Sequence, residues 1–146
     1  MKTEASIIID RPLEEVWEFM MDLSKIPTWD TVVSEVKQTS TGPIGVGTTL
    51  EITEKTMKRT ISARVIEYEP SRRLSFEHTS GPFKGSKLTN SVETVDGKTR
   101  LNWDEVIKLN GVYKLLRVFI TSSRERRTVV AILENVKRIL ESEAKS

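Results

Sequence analysis

His78 is the only histidine among the 146 residues, so it is the first candidate for moving a proton near neutrality or for gripping a polar group. Glu105 is the second: if buried, it would either stay protonated or need a cationic partner such as Arg64 or a lysine, and a neutral buried acid can enolise a ketone or hold a hydroxyl. Tyr68 closes a strand and offers a phenolic O–H. Asn90 brings an amide, and Trp29 and Trp103 bring flat walls suited to planar or acyl guests. Against these stand plainer readings: a histidine at a strand end, a surface carboxylate in an ion pair, tryptophans that fill core.

Strand parity decides which of these side chains share a face, because alternate residues of a strand point the same way. Leu74, Phe76 and His78 share one face; Leu88, Asn90 and Val92 share another; Leu101, Trp103, Glu105 and Ile107 share a third. The apolar members assign these faces to the interior, and His78, Asn90 and Glu105 go with them. Asp104 and Lys108 fall on the opposite, solvated side. The lone histidine would have to recruit carboxylates that show no ligand spacing, so no metal is expected, and no cofactor is implied.

Composition narrows the function classes. With no Cys there is no disulfide scaffold, thiolate nucleophile or Cys-based metal site. A net charge of +2 supplies no global field toward polyanions. The basic run Arg124 to Arg127, with Lys114, Arg117, Lys137 and Arg138, lacks the aromatic interleaving of a nucleic-acid surface. It reads as a solvated helix face, or at most as a contact for an acidic head group or an anionic partner. The longest apolar run, Val129 to Leu133, is far short of a membrane span. The expectation is a single domain over residues 1–146, cytoplasmic, monomer or homodimer, with no nucleic acid and no integral membrane association.

The elements that must position the candidates follow from local pattern. Ala5 to Ile9 is a β-branched run, closed by Asp10-Arg11-Pro12. Leu13, Val16, Trp17 and Met20 then recur at helical spacing and predict a helix from Leu13 to Leu23, with Pro12 suited to its first position. Ser24 is expected to cap one more short turn, ended by Pro27. Strands are predicted near Thr31–Gln38, Thr48–Thr56, Thr60–Tyr68, Arg73–Thr79, Lys84–Val95 and Thr99–Leu109. Asp96-Gly97 is a type I′ hairpin signal. The glycine-rich Thr41–Gly47 joins two strands, so it reads as a long hairpin or a gate and not as a phosphate cradle. Ser80 to Gly85 would form the opposing rim. From Val112 to Glu143 the spacing of Val112, Leu116, Phe119, Ser123, Val130, Leu133, Val136 and Leu140 predicts a long helix, irregular near Thr121-Ser122-Ser123.

One strand, one or two short helices, six strands and a long helix make an α+β protein: a curved antiparallel sheet of about seven strands wrapped on the last helix. Side chains need not fill the space between them, so a hydrophobic cavity is the natural by-product, with Leu116 and Phe119 as its ceiling. Three stretches carry a resemblance: Ile9 to Trp17; Asp22 to Pro27-Thr28-Trp29-Asp30; and Ile66-Glu67-Tyr68-Glu69-Pro70-Ser71-Arg72-Arg73-Leu74. With Leu133 to Glu141, they make the chain resemble the SRPBCC or START-like superfamily, the helix-grip fold, in its polyketide cyclase/dehydrase branch. The resemblance implies a hydrophobic or amphipathic small-molecule ligand (lipid, acyl or aromatic polyketide-like) held between sheet and helix by a carrier or binding protein. Trp29, Phe76, His78, Asn90, Trp103, Glu105, Leu116 and Phe119 are the expected wall. A cyclase or aromatase using His78, Glu105 or Tyr68 as acid/base is the second reading. A co-chaperone-like interaction module is the third, expecting a filled cavity and an exposed apolar patch.

Overall fold

The computed structural model describes residues 1–111, 114, 115 and 121–143. Strand β1 (Lys2–Ile9) leads into helix α1 (Leu13–Met21), a 3-10 turn (Leu23–Lys25) and the short helix α2 (Ile26–Trp29). Six strands follow: β2 (Val33–Gln38), β3 (Thr49–Glu54), β4 (Thr60–Glu69), β5 (Arg73–His78), β6 (Lys87–Val95) and β7 (Lys98–Val106). Helix α3 (Ser122–Glu143) is the last of the described elements. All strands join one antiparallel sheet in the order β1-β7-β6-β5-β4-β3-β2. This curved seven-stranded sheet on a long helix is the helix-grip architecture.

Several local expectations are revised. Pro12 precedes α1 in extended conformation instead of occupying its first turn. The cap of the 3-10 turn is Asp22, whose carboxylate accepts from the Ser24 amide at 3.1 Å, and not Ser24. Pro27 lies inside α2 at its start, where a missing N–H costs nothing. The described last helix begins at Ser122, where Thr121 caps it by accepting from the Arg124 amide; Val112, Leu116 and Phe119 of the expected stripe lie outside the described residues. The irregularity expected near Thr121 is thus the helix start, and α3 is about 33 Å long at 1.5 Å per residue. Its buried stripe is Val129, Ile132, Leu133, Val136 and Leu140, so Val129 and not Val130 faces the core. Asp96 and Gly97 both have positive φ, as a type I′ turn requires, and close β6 onto β7.

The concave face of the sheet and the buried stripe of α3 enclose the core, which α1 and α2 extend with Val16, Trp17, Phe19, Met20 and Trp29. Side chains of α3 also reach the free edge of β1. Arg126 donates to the Glu4 carbonyl at 2.8 Å and Lys137 to the Ile8 carbonyl at 2.7 Å. The other edge strand, β2, carries a bulge between Val33 and Glu35 and a Lys37–Glu35 ion pair at 3.1 Å. Among the described residues no helix is long and apolar enough to cross a membrane.

Candidate functional site

Three adjacent strands share a continuous register, so their inward side chains line up in rows across the sheet. One row runs Val65, Phe76, Leu88, Glu105 and Thr3, each opposite the next on β4, β5, β6, β7 and β1. The next runs Tyr68, Leu74, Asn90, Trp103 and Ala5. His78 sits one inward position beyond Phe76, opposite Ala63, and its ring stacks on Phe76 at 5.9 Å. Pairing side chains across strands in this way makes a rigid wall, since each row is held by the ladder on both sides.

Sheet and helices do not close completely over that wall. A cavity of about 280 Å³ lies between α3 and the sheet, lined among others by Phe76, His78, Trp103, Glu105, Glu125 and Ile132. A smaller one of about 80 Å³ lies under α1 and α2, lined among others by Met20, Trp29, Leu74 and Asn90. They share Asp30, Val33, Ile52, Phe76, Leu88 and Trp103 as walls, so the two cavities are neighbours along the sheet. Val32, 45% exposed, and the exposed Lys87 line the larger part and place its mouth toward solvent. The larger part is roughly twice the ~150 Å³ cavity that takes up a benzene, which is room on the scale of two fused rings.

The wall is apolar but carries polar atoms left without a partner in the protein: Trp29 Nε1, His78 Nδ1, Asn90 Nδ2, Trp103 Nε1 and Glu105 Oε2. Buried polar groups are ordinarily paired, and an unpaired one costs about 1–3 kcal/mol. Trp29 and Asn90 face the smaller cavity, His78 and Glu105 the larger, and Trp103 both, and all are groups that a guest can satisfy. Trp29 and Trp103 meet edge to face with centroids 6.3 Å apart, fixing both rings.

Burial sets the protonation of the wall. It pushes the Glu105 carboxyl up to about 7, with Glu125 and Asp30 adding smaller repulsions. It also raises Asp30, against the amides of Val32 and Val33 that favour its charged form, and raises Glu125. His78 is held below its ordinary value by burial, which outweighs the attraction of Glu54. Near neutrality the site therefore holds an uncharged imidazole and a carboxyl that exchanges its proton readily.

The structure brings Trp29, Phe76, His78, Asn90, Trp103 and Glu105 together on the cavity walls. Leu116 and Phe119 lie outside the described residues. Tyr68 does not line the cavity: its ring packs against Trp17 of α1 at 6.2 Å, at the covered end of the sheet. Arg64, considered as a partner for Glu105, is exposed on the convex face, and Glu105 Oε2 has no partner in the protein. Thr41–Gly47 contributes Ile44 to the smaller cavity, and its Gly47 N–H donates a hydrogen bond to the Val65 carbonyl at 2.9 Å. Ser80 to Gly85 contributes Phe83 to the larger one.

Asp30 and Glu125 were missed as wall residues. Glu125 had a legible signal, since it continues the stripe of Val129, Ile132 and Val136 at helical spacing toward the N-terminus. Asp30 had none, because the turn after α2 directs it. Among the described residues no group of His, Asp and Glu is arranged to hold a metal ion.

Residues 1–141 match the family described as "Polyketide cyclase / dehydrase and lipid transport". The chain belongs to this family. Its fold is shared with solved structures of similar size, among them TTHA0849 from Thermus thermophilus, at 18% identity and a TM-score of 0.76, covering 97% of this chain and 99% of that one. A protein from Nitrosospira multiformis is similar over 100% of both chains, at 15% identity and a TM-score of 0.73. MLL2253 from Mesorhizobium loti is similar over 97% of this chain and 98% of its own, at 15% identity and a TM-score of 0.72. At these identities the likeness is one of fold. No curated protein matches the sequence. Family membership and the walled cavity fit ligand binding.

Proposed function

We propose that this protein binds a hydrophobic or amphipathic small molecule between sheet and α3, as a carrier or binding protein. The observation that carries the reading is the cavity of about 280 Å³ whose apolar wall includes unpartnered polar atoms on His78, Trp103 and Glu105. The apolar surface supplies affinity, and the few polar groups orient the guest. Three of the unpartnered groups, the indoles of Trp29 and Trp103 and the amide of Asn90, present N–H donors, which suits a guest carrying carbonyl or hydroxyl oxygens.

Native mass spectrometry of the purified protein, followed by organic extraction, tests this directly. A discrete adduct of lipid, acyl or aromatic mass, lost in a Trp103→Ala variant, is the expected result. A bare mass that stays unshifted across a panel of hydrophobic compounds would refute it.

One observation favours acid/base chemistry as a second reading: Glu105, raised to about 7 within the same wall, has the proton affinity wanted of a general acid or base at neutral pH. An enzyme of that kind loses turnover in Glu105→Gln while still binding its substrate. A carrier shows no turnover to lose.

A further inference from the structure

We infer that the cavity selects its guest by charge, taking an amphipathic organic amine in preference to an equally apolar acid. The inference deepens the ligand-binding reading above and rests on it. Among the described residues, the charged side chains of the larger cavity are Asp30, Glu54, Glu105 and Glu125 against Lys87. Glu54 is already paired with Arg59, whose Nη2 donates to its Oε1 at 2.9 Å. Lys87 lies at the exposed end of β6, where water screens it. Three carboxyls are left facing the interior from three different elements: the turn after α2, strand β7 and the first turn of α3.

Their fields converge on the cavity. Asp30, Glu105 and Glu125 line the same cavity, and the first and last of them add repulsion at Glu105 to the larger effect of its burial. An ammonium entering this space supplies a counter-charge to Glu105, whose Oε2 the protein leaves without a partner, whereas a carboxylate adds a further like charge in a poorly solvated site.

A second feature marks the same wall as a place for a guest. Trp103 is only 4% exposed, lines both parts of the cavity and leaves its indole N–H without a partner. Trp103 and Phe76 also bring aromatic surface, whose π faces attract a cation and repel an anion. With no metal-holding arrangement among the described residues, the cation that fits this chemistry is an organic one. The space available accommodates an apolar body on the scale of two fused rings.

The test uses the full chain and three probes with one apolar body: 2-naphthylmethylamine, 2-naphthylmethanol and 2-naphthoate. Affinities are measured by calorimetry and by tryptophan fluorescence at slightly alkaline pH. The amine is expected to bind about tenfold or more tighter than the acid, with the alcohol between. Glu105→Gln and Glu125→Gln are each expected to cut the amine-to-acid ratio several-fold. Glu125, at the start of α3, gives a variant that leaves the sheet untouched if Glu105→Gln fails to fold.

Equal binding of amine and acid, or tighter binding of the acid, overturns the charge selection and leaves the ligand-binding reading standing. A ratio unmoved by both variants overturns the role of these carboxyls. Failure of all three probes to bind overturns the ligand-binding reading and the selection together.

Discussion

Replacing Glu105 with Gln removes one ionisable group from the cavity wall while keeping the shape of the neutral acid. The folded protein holds this carboxyl at about 7 against an ordinary 4.5. At about 1.4 kcal/mol per pKa unit, ionising it inside the fold costs about 3 kcal/mol. The direction follows from proton counting. Below pH 4.5 both folded and unfolded chains carry the proton, and nothing is lost. Between 4.5 and 7 the unfolded chain releases it while the folded chain retains it, so stability falls as pH rises. Above 7 the folded chain ionises too and the full cost is present.

Glu105→Gln is free of that cost. Urea unfolding of the two proteins at several pH values should give equal stabilities at the acid end of this range. The variant should be more stable by about 3 kcal/mol at the alkaline end, a midpoint difference of roughly 6–12 °C in a thermal scan. Asp30 and Glu125 are present in both proteins, so the difference isolates Glu105 and its coupling to them. Parallel curves, with a difference that stays within about 0.5 kcal/mol throughout, would mean that Glu105 is solvated; the account of the wall would then be wrong.

Four other outcomes are expected. Trp103→Ala should cost about 3–5 kcal/mol in urea unfolding, because it removes a buried indole and its contact with Trp29, while Trp103→Phe should cost clearly less. Gly81→Ala should destabilise by about 1–2 kcal/mol, more than Gly97→Ala. Both glycines have positive φ, but a Cβ at Gly81 meets Ile61 Cγ2 at 3.0 Å, whereas at Gly97 it meets nothing within 4 Å. An NMR titration of His78 should place its pKa below the ordinary 6.5, and Glu54→Gln should lower it further by removing the attraction that opposes burial. Lys137→Ala, which frees the Ile8 carbonyl and breaks the Glu141 ion pair, should cost about 1 kcal/mol and speed amide exchange along β1.

Strand parity was enough to put His78, Asn90, Trp103 and Glu105 on one face because β5, β6 and β7 pair without a register shift through these positions. A single bulge there would have turned half of them outward. Such a bulge does occur between Val65 and Glu67 on β4, beside Tyr68, whose position the sequence left open. The three carboxyls were only partly readable, because Asp30 and Glu125 reach Glu105 through the docking of α2 and α3 on the sheet. No local pattern encodes that docking. Apolar spacing alone does not mark where α3 starts; the hydroxyl of Thr121, capping the Arg124 amide, does.

The two edges of the sheet bear on how the protein behaves when crowded. A curved sheet with incompletely filled space behind it is a hazard, since an exposed edge is a template for a second chain and leads to fibres. Here the carbonyls of Glu4 and Ile8 at one edge are taken by Arg126 and Lys137. The other edge is bent by its bulge and carries alternating charge at Glu35 and Lys37. Both edges therefore carry features that disfavour the addition of a further strand from a second copy.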